Sequence, residues 1–155
     1  SILGGLCLSI VDRYVFGSFI NPVLHSYDNK PTIEYIISAF TYGGVFEEIL
    51  MRLFLMSLFS WIIAKIFYRK EKEIPTKVFV ISNIVAALLF AAGHLPTTIQ
   101  TFGYVDSLIL FRCFFMNGAF GIAFGWLYRK YGIQYSMLAH FGCHFVSKLI
   151  WLLFI

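Results

Sequence analysis

From Thr32 to Tyr68 the chain runs without a proline through mostly apolar residues, yet Glu47, Glu48 and Arg52 sit inside that run. A stretch of this length is enough to cross a bilayer, which takes about 20 apolar residues. An ionisable side chain at the centre of a membrane helix costs roughly 2.5–3.5 kcal/mol even on mild scales. Two carboxylates and a guanidinium so close together therefore need partners on other helices. That requirement favours a bundle with a polar interior over a single anchor.

The rest of the composition agrees. Of 155 residues, 59% are hydrophobic and 13% charged, whereas a soluble domain is about 25% charged. The expected fold is all-α: a polytopic transmembrane helix bundle of about four to five membrane helices around an intramembrane polar site. Such a chain is a multi-pass protein, expected in the cell membrane. The net charge of +4 is too modest for a nucleic-acid surface, and no basic stripe interleaved with aromatics suggests one. The partners expected are the lipid bilayer and a peptide, not nucleic acid. Cys7, Cys113 and Cys143 show no CxxC spacing and read as buried thiols.

The organisation along the chain is of two parts. Residues 1–31 form an apolar or interfacial helix and a polar loop. Asp12-Arg13 interrupts the apolar run, and the start at Ser1 without Met suggests a processed protein or an excerpt of a longer one. Residues 32–155 form the core. Pro31 suits the first turn of its first helix, and Gly43-Gly44 is a natural point of flexure just before the acidic pair. A charged loop follows at residues 69–75. Spans are expected at Val78–Ala92, Ser107–Tyr128 and Ile133–Ile155. The segment Gly93-His94-Leu95-Pro96 reads as a helix stop, Thr97–Asp106 as a loop, and Arg129-Lys130-Tyr131-Gly132 as a tight turn. Arg112 is placed to snorkel. Gly118, Gly121 and Gly125 give the third span a small face for close helix packing.

Three groups of residues carry chemistry. Glu48 and Arg52, four apart on a helix, face each other. Glu47 points about 100° away, so Arg52 does not neutralise both acids equally and Glu47 is left to face something else. Phe90 and His94 share one face at the end of the second span. His140 and His144, again four apart, can grip one metal ion or direct two ring N–H groups at one oxyanion. The plainer readings are a structural ion cluster at Glu47, Glu48 and Arg52, and a capping or interface histidine at 94. His25, in a polar loop, has no assigned role.

Glu-Glu-x-x-x-Arg, then Phe-x-x-x-His, then His-x-x-x-His on successive spans resemble the CAAX protease and bacteriocin-processing family. These are Rce1-like, or Abi, intramembrane glutamate endopeptidases. Gly125-Trp126-Leu127-Tyr128, Tyr131-Gly132 and Ala139-His140 add to the likeness, which runs from about Thr32 to the end. The resemblance implies that Glu47 and His94 activate a water to attack a peptide carbonyl. It gives His140 and the residue at 144 the oxyanion, and Glu48 and Arg52 a supporting role beside Phe90, with no cofactor. The family's last position is commonly Asn; here it is His144, which can also donate one N–H.

That departure keeps a zinc alternative open, with Glu47, His94, His140 and His144 as ligands of a membrane metalloprotease. A non-catalytic bacteriocin-immunity or peptide-binding protein is a further alternative. An ion pathway would explain the acids but not the spaced histidines. The substrate implied is a peptide or protein with a C-terminal or leader segment to be removed. A shared site has a geometric requirement: His94, at the end of its span, must come near Glu47, roughly 20 Å into its own helix. Leu95–Thr101 is therefore expected to dip into the membrane beside a polar cavity.

The basic residues also fix a topology. Lys65, Arg69, Lys70, Lys72 and Lys77 flank one loop and Arg129-Lys130 another, whereas Leu95–Asp106 carries no Lys or Arg. The first two loops are then cytoplasmic. In a cysteine-free background, a cysteine placed at Glu71 or Lys130 should resist an impermeant maleimide applied to intact cells, and one at Tyr104 should react. The reverse pattern would invert the topology.

Overall fold

The computed structural model describes residues 1–155 and contains eight α-helices and no strand. Four helices are long and apolar enough to span a membrane: Ile33–Phe67, Thr76–Phe102, Ser107–Tyr131 and Ile133–Phe154. Large apolar side chains face outward along them, Trp61, Leu89, Phe111, Leu138 and Phe154 among them, as an all-round apolar surface in lipid requires.

The N-terminal helix α1 (Ile2–Ile10) continues as a π-helical turn, Val11–Phe16, and a short α2 (Asn21–His25) follows. The first spanning helix opens as α3 (Ile33–Ser38) and closes as α4 (Ser57–Phe67). Between them the backbone is π-helical over Ala39–Glu47 and Ile49–Met56, with Glu48 at the join. Such wide turns cluster at functional sites. Thr32, not Pro31, begins the helix: its side chain accepts a hydrogen bond from the Tyr35 N–H at 3.2 Å.

The remaining elements are α5 (Thr76–Gly93), α6 (Leu95–Phe102), α7 (Ser107–Tyr131) and α8 (Ile133–Phe154). Two sequence expectations are corrected here. The stop at Gly93–Pro96 is only a break, and Thr97–Asp106 is not all loop. Pro96 sits in the first turn of α6, where its missing N–H costs nothing, and Gly103 at φ 79° ends it. The predicted turn before α8 contracts to Gly132, at φ 101°. Arg129 and Lys130 stay inside α7, in the last turn, where cations oppose the negative end of the helix dipole.

Residues 1–31 pack into the bundle, α1 lying along α8. Gly5 allows the approach, since a Cβ there would come 2.8 Å from the Cys143 carbonyl oxygen, and Ser9 donates to the Ser147 carbonyl at 3.3 Å. Arg112 does not snorkel. It holds Asp12 through two hydrogen bonds of 2.6 and 2.7 Å, and the Tyr27 hydroxyl donates to the same carboxylate at 2.9 Å. Burial, then the Asp12 charge, push the Tyr27 phenol far above the usual tyrosine range, which keeps it a donor. Cys113 and Cys143 are buried, but Cys7 is exposed, because α1 has only one face on the bundle. His25, exposed at the end of α2, pairs with Asp28 at 2.9 Å.

The glycine face of α7 divides. Gly121 meets α5 closely, its built Cβ falling 3.0 Å from that of Ala87, and Gly125 abuts the Asn83 amide, while Gly118 faces open space. Asn83 Nδ2 donates to the Ile122 carbonyl at 2.9 Å, so the Gly125 contact carries a polar bond between helices. Gly125→Ala should displace that amide and lower stability by about 1–3 kcal/mol. Gly118→Ala should be neutral or stabilising by up to about 1 kcal/mol. Thermal unfolding of the two variants in detergent checks the contrast.

Candidate functional site

Glu48 and Arg52 are the most enclosed charges in the chain, with none of either side chain exposed. Glu48 Oε2 accepts from Arg52 Nε at 3.1 Å and from the Ser136 hydroxyl at 2.5 Å. Its Oε1 accepts from His140 Nδ1 at 3.0 Å. The helix-internal pair read from the sequence is thus half of the arrangement. Ser136 and His140 of α8 supply the other half, and together they clamp the first spanning helix to the last. Both Arg52 Nη groups are buried without a protein acceptor; ordered water is their natural partner.

Glu47 points the other way, as the helix geometry requires. Its Oε1 lies 3.7 Å from His94 Nε2, and its Oε2 lies 3.9 Å from His140 Nε2. The break between α5 and α6 falls at His94 and sets the ring across from Glu47. Leu95–Thr101 does border a polar cavity, of about 580 Å³, but as helix rather than irregular backbone. Gly43 and Gly44 make room on the other side. A Cβ on Gly43 would sit 2.7 Å from His144 Nε2, and one on Gly44 would sit 3.0 Å from Phe141 Cβ. Close approach of α8, more than flexure, explains the glycine pair.

The imidazoles are held by aromatic walls and by their Nδ1 atoms. Phe90 meets His94 edge-on at 4.6 Å, Phe124 stacks on His140 at 4.6 Å, and His144 stacks on His140 at 4.9 Å. His94 Nδ1 donates to the Phe90 carbonyl at 2.8 Å, and His140 Nδ1 donates to Glu48. With each Nδ1 carrying the donated proton, a neutral ring turns the lone pair of Nε2 toward Glu47. Three acceptors then converge on one space. A water can donate to two of the three at a time, and separations of 3.7 and 3.9 Å exceed direct hydrogen-bond length. His144 differs: its Nδ1 is buried without a partner, so its tautomer is not fixed from outside. A smaller cavity of about 180 Å³, lined by Tyr42, Leu50, Met51 and Phe90, reaches Glu47 and His94 from the other side.

All seven positions singled out from the sequence therefore meet at one place: Glu47, Glu48, Arg52, Phe90, His94, His140 and His144. No group of three or more His, Cys, Asp or Glu side chains is arranged closely enough to hold a metal ion. Sequence reasoning missed Ser136 and Phe124. Ser136 had a signal, lying four residues before His140 on the same helix face. Ser136→Ala should cost about 1–3 kcal/mol by leaving Glu48 one donor short. Arg52→Met should cost more, about 3–5 kcal/mol, because it strands a buried charge. Denaturation midpoints of the two variants test this order.

Among known proteins, the family model described as Type II CAAX prenyl endopeptidase Rce1-like matches residues 29–146, a range that holds all seven positions. No curated protein and no solved structure was found to match the chain.

Proposed function

The chain belongs to the Rce1-like family of type II CAAX prenyl endopeptidases, which makes it a membrane peptidase of the CAAX type, and on that premise we propose how its residues hydrolyse a peptide bond. Glu47 takes a proton from a water held between its carboxylate and the Nε2 atoms of His94 and His140. The water oxygen attacks the carbonyl carbon, and the carbonyl oxygen becomes an oxyanion. The proton passes to the amide nitrogen, the C–N bond breaks, and a carboxylate and an amine leave. The observation that supports this reading is the convergence of Glu47 Oε1 and Oε2 on two imidazole nitrogens at 3.7 and 3.9 Å, a distance that one bridging water closes.

The oxyanion falls to His144 first. His140 donates its Nδ1–H to Glu48 at 3.0 Å, so its other nitrogen is the one turned to the reacting atoms. Glu48, Arg52 and Ser136 act through His140 and position it. Phe90 walls both rings. The reaction needs no cofactor in this reading. The substrate is a peptide or a protein's terminal segment reached within the cell membrane.

One observation favours a metal-assisted second reading. Histidines that bind zinc donate their other N–H to a carboxylate or a backbone carbonyl, as His140 and His94 do here. The two readings divide on a chelator: activity lost to a strong zinc chelator and regained with zinc would establish the metal. A non-catalytic immunity protein is the remaining alternative, and it predicts an unaltered phenotype in Glu47→Gln.

With a purified chain and a fluorogenic peptide, Glu47→Gln should lower the hydrolysis rate by about 10²–10⁴ while the variant stays folded. His144→Ala should lower kcat by about 10²–10³, and His144→Asn should recover most of the loss. Hydrolysis undiminished in Glu47→Gln would overturn the mechanism.

A further inference from the structure

In an unbroken helix each N–H donates to the carbonyl four residues back. At the break between α5 and α6 that ladder is interrupted. The His94 N–H donates to the Ala91 carbonyl at 3.1 Å rather than to that of Phe90, and the ladder resumes where the Thr98 N–H meets the His94 carbonyl at 2.9 Å. Pro96 has no N–H to give to Ala92. The Phe90 carbonyl is thereby released, and His94 Nδ1 takes it at 2.8 Å. The bearing of the ring depends on this shift. Were the helix regular, the His94 N–H would claim the Phe90 carbonyl and the imidazole would have to share it.

One side chain of α7 bonds to both sides of the break. The Cys113 thiol donates to the Ala91 carbonyl at 3.4 Å, on the α5 side. It accepts from the Thr98 hydroxyl at 3.5 Å, on the α6 side. Asn117 Nδ2 donates to the Cys113 carbonyl at 2.9 Å and lies 3.7 Å from the same sulfur. With two donors aimed at the sulfur, its own proton is left for Ala91. Cys113, Thr98 and Ala91 are all buried, where a low dielectric strengthens bonds that would be weak in water. None of these side chains has a part in the hydrolysis above.

We propose that Cys113 and Thr98 are positioning residues for His94. Thiol and hydroxyl strap the two halves of the break to α7 and hold the Ala91 carbonyl against the His94 N–H. The Phe90 carbonyl is then left to the imidazole, which keeps its proton on Nδ1 and its lone pair toward Glu47. The proposal rests on the peptidase reading for what His94 does, though not for how its ring is held.

The first test is NMR of the full chain labelled with ¹⁵N-histidine, in detergent micelles at about pH 8, where histidine rings are neutral and the spectrum tells a protonated ring nitrogen from a bare one. The His94 signals are identified by their loss in His94→Gln. The unmodified chain should show His94 in one form, with Nδ1 protonated and Nε2 bare. Cys113→Ala and Thr98→Val should each mix the two tautomers, and Cys113→Ser and Thr98→Ser should restore the single form. Thr98→Val exchanges only a hydroxyl for a methyl, so it tests the strap even if Cys113→Ala unfolds. The second test is hydrolysis of a fluorogenic peptide. Cys113→Ala and Thr98→Val should lower kcat about tenfold and leave KM within about twofold, and the serine variants should recover most of the loss. Mixed tautomers in the unmodified chain, a single form that survives Thr98→Val, or a kcat that Thr98→Val leaves unchanged would overturn the proposal. A chain that hydrolyses no peptide yet shows the tautomer change would overturn the peptidase reading and uphold the strap.

Discussion

A carboxylate with no access to water dictates most of this architecture. Glu48 lies inside a bundle whose outer surface is apolar, and burying an unpaired charge there is prohibitively costly. The chain satisfies it with a donor from its own helix and two from α8, at 2.5 to 3.1 Å. These bonds set the rotation of both helices about their axes. Once Glu48 is turned toward Arg52, Ser136 and His140, its sequence neighbour must face elsewhere, and what it faces is His94. The partition between an acid tied down by donors and an acid left facing an imidazole follows from adjacency on a single helix.

Much of this was legible in the sequence, for identifiable reasons. The spans were visible because apolar length is read directly against bilayer thickness. Glu48–Arg52 and His140–His144 were visible because helical spacing of four is a local property. The meeting of Glu47 with His94 was expected, since charges at membrane depth must find polar company, but the spacing alone left open how α5 would reach the site.

What the sequence hid was long-range or built from ordinary residues. Arg112 looked free to snorkel because its partner Asp12 is a hundred residues away. Ser136 looked like any serine on an apolar helix. Pro96 read as a terminator because a proline that ends one helix and a proline that starts another look alike until the next turn is seen. Gly43 and Gly44 looked like a hinge, whereas His144 and Phe141 need the space that side chains there would fill. In each case a local rule was sound and the third dimension decided which of its outcomes applied.

The anchor of His94 has a consequence for how this site tolerates change. His140 is oriented by a carboxylate, and a single codon can remove that carboxylate. His94 is oriented by the carbonyl of Phe90, a main-chain group that every amino acid possesses. Substitution at position 90 can alter the wall against the ring, but it cannot delete the atom that fixes the ring's proton. Of the two imidazoles facing Glu47, one therefore has a bearing encoded by side-chain identity, and the other a bearing encoded by the helix itself. Drift in sequence can erode the first, while only a change in backbone path can erode the second.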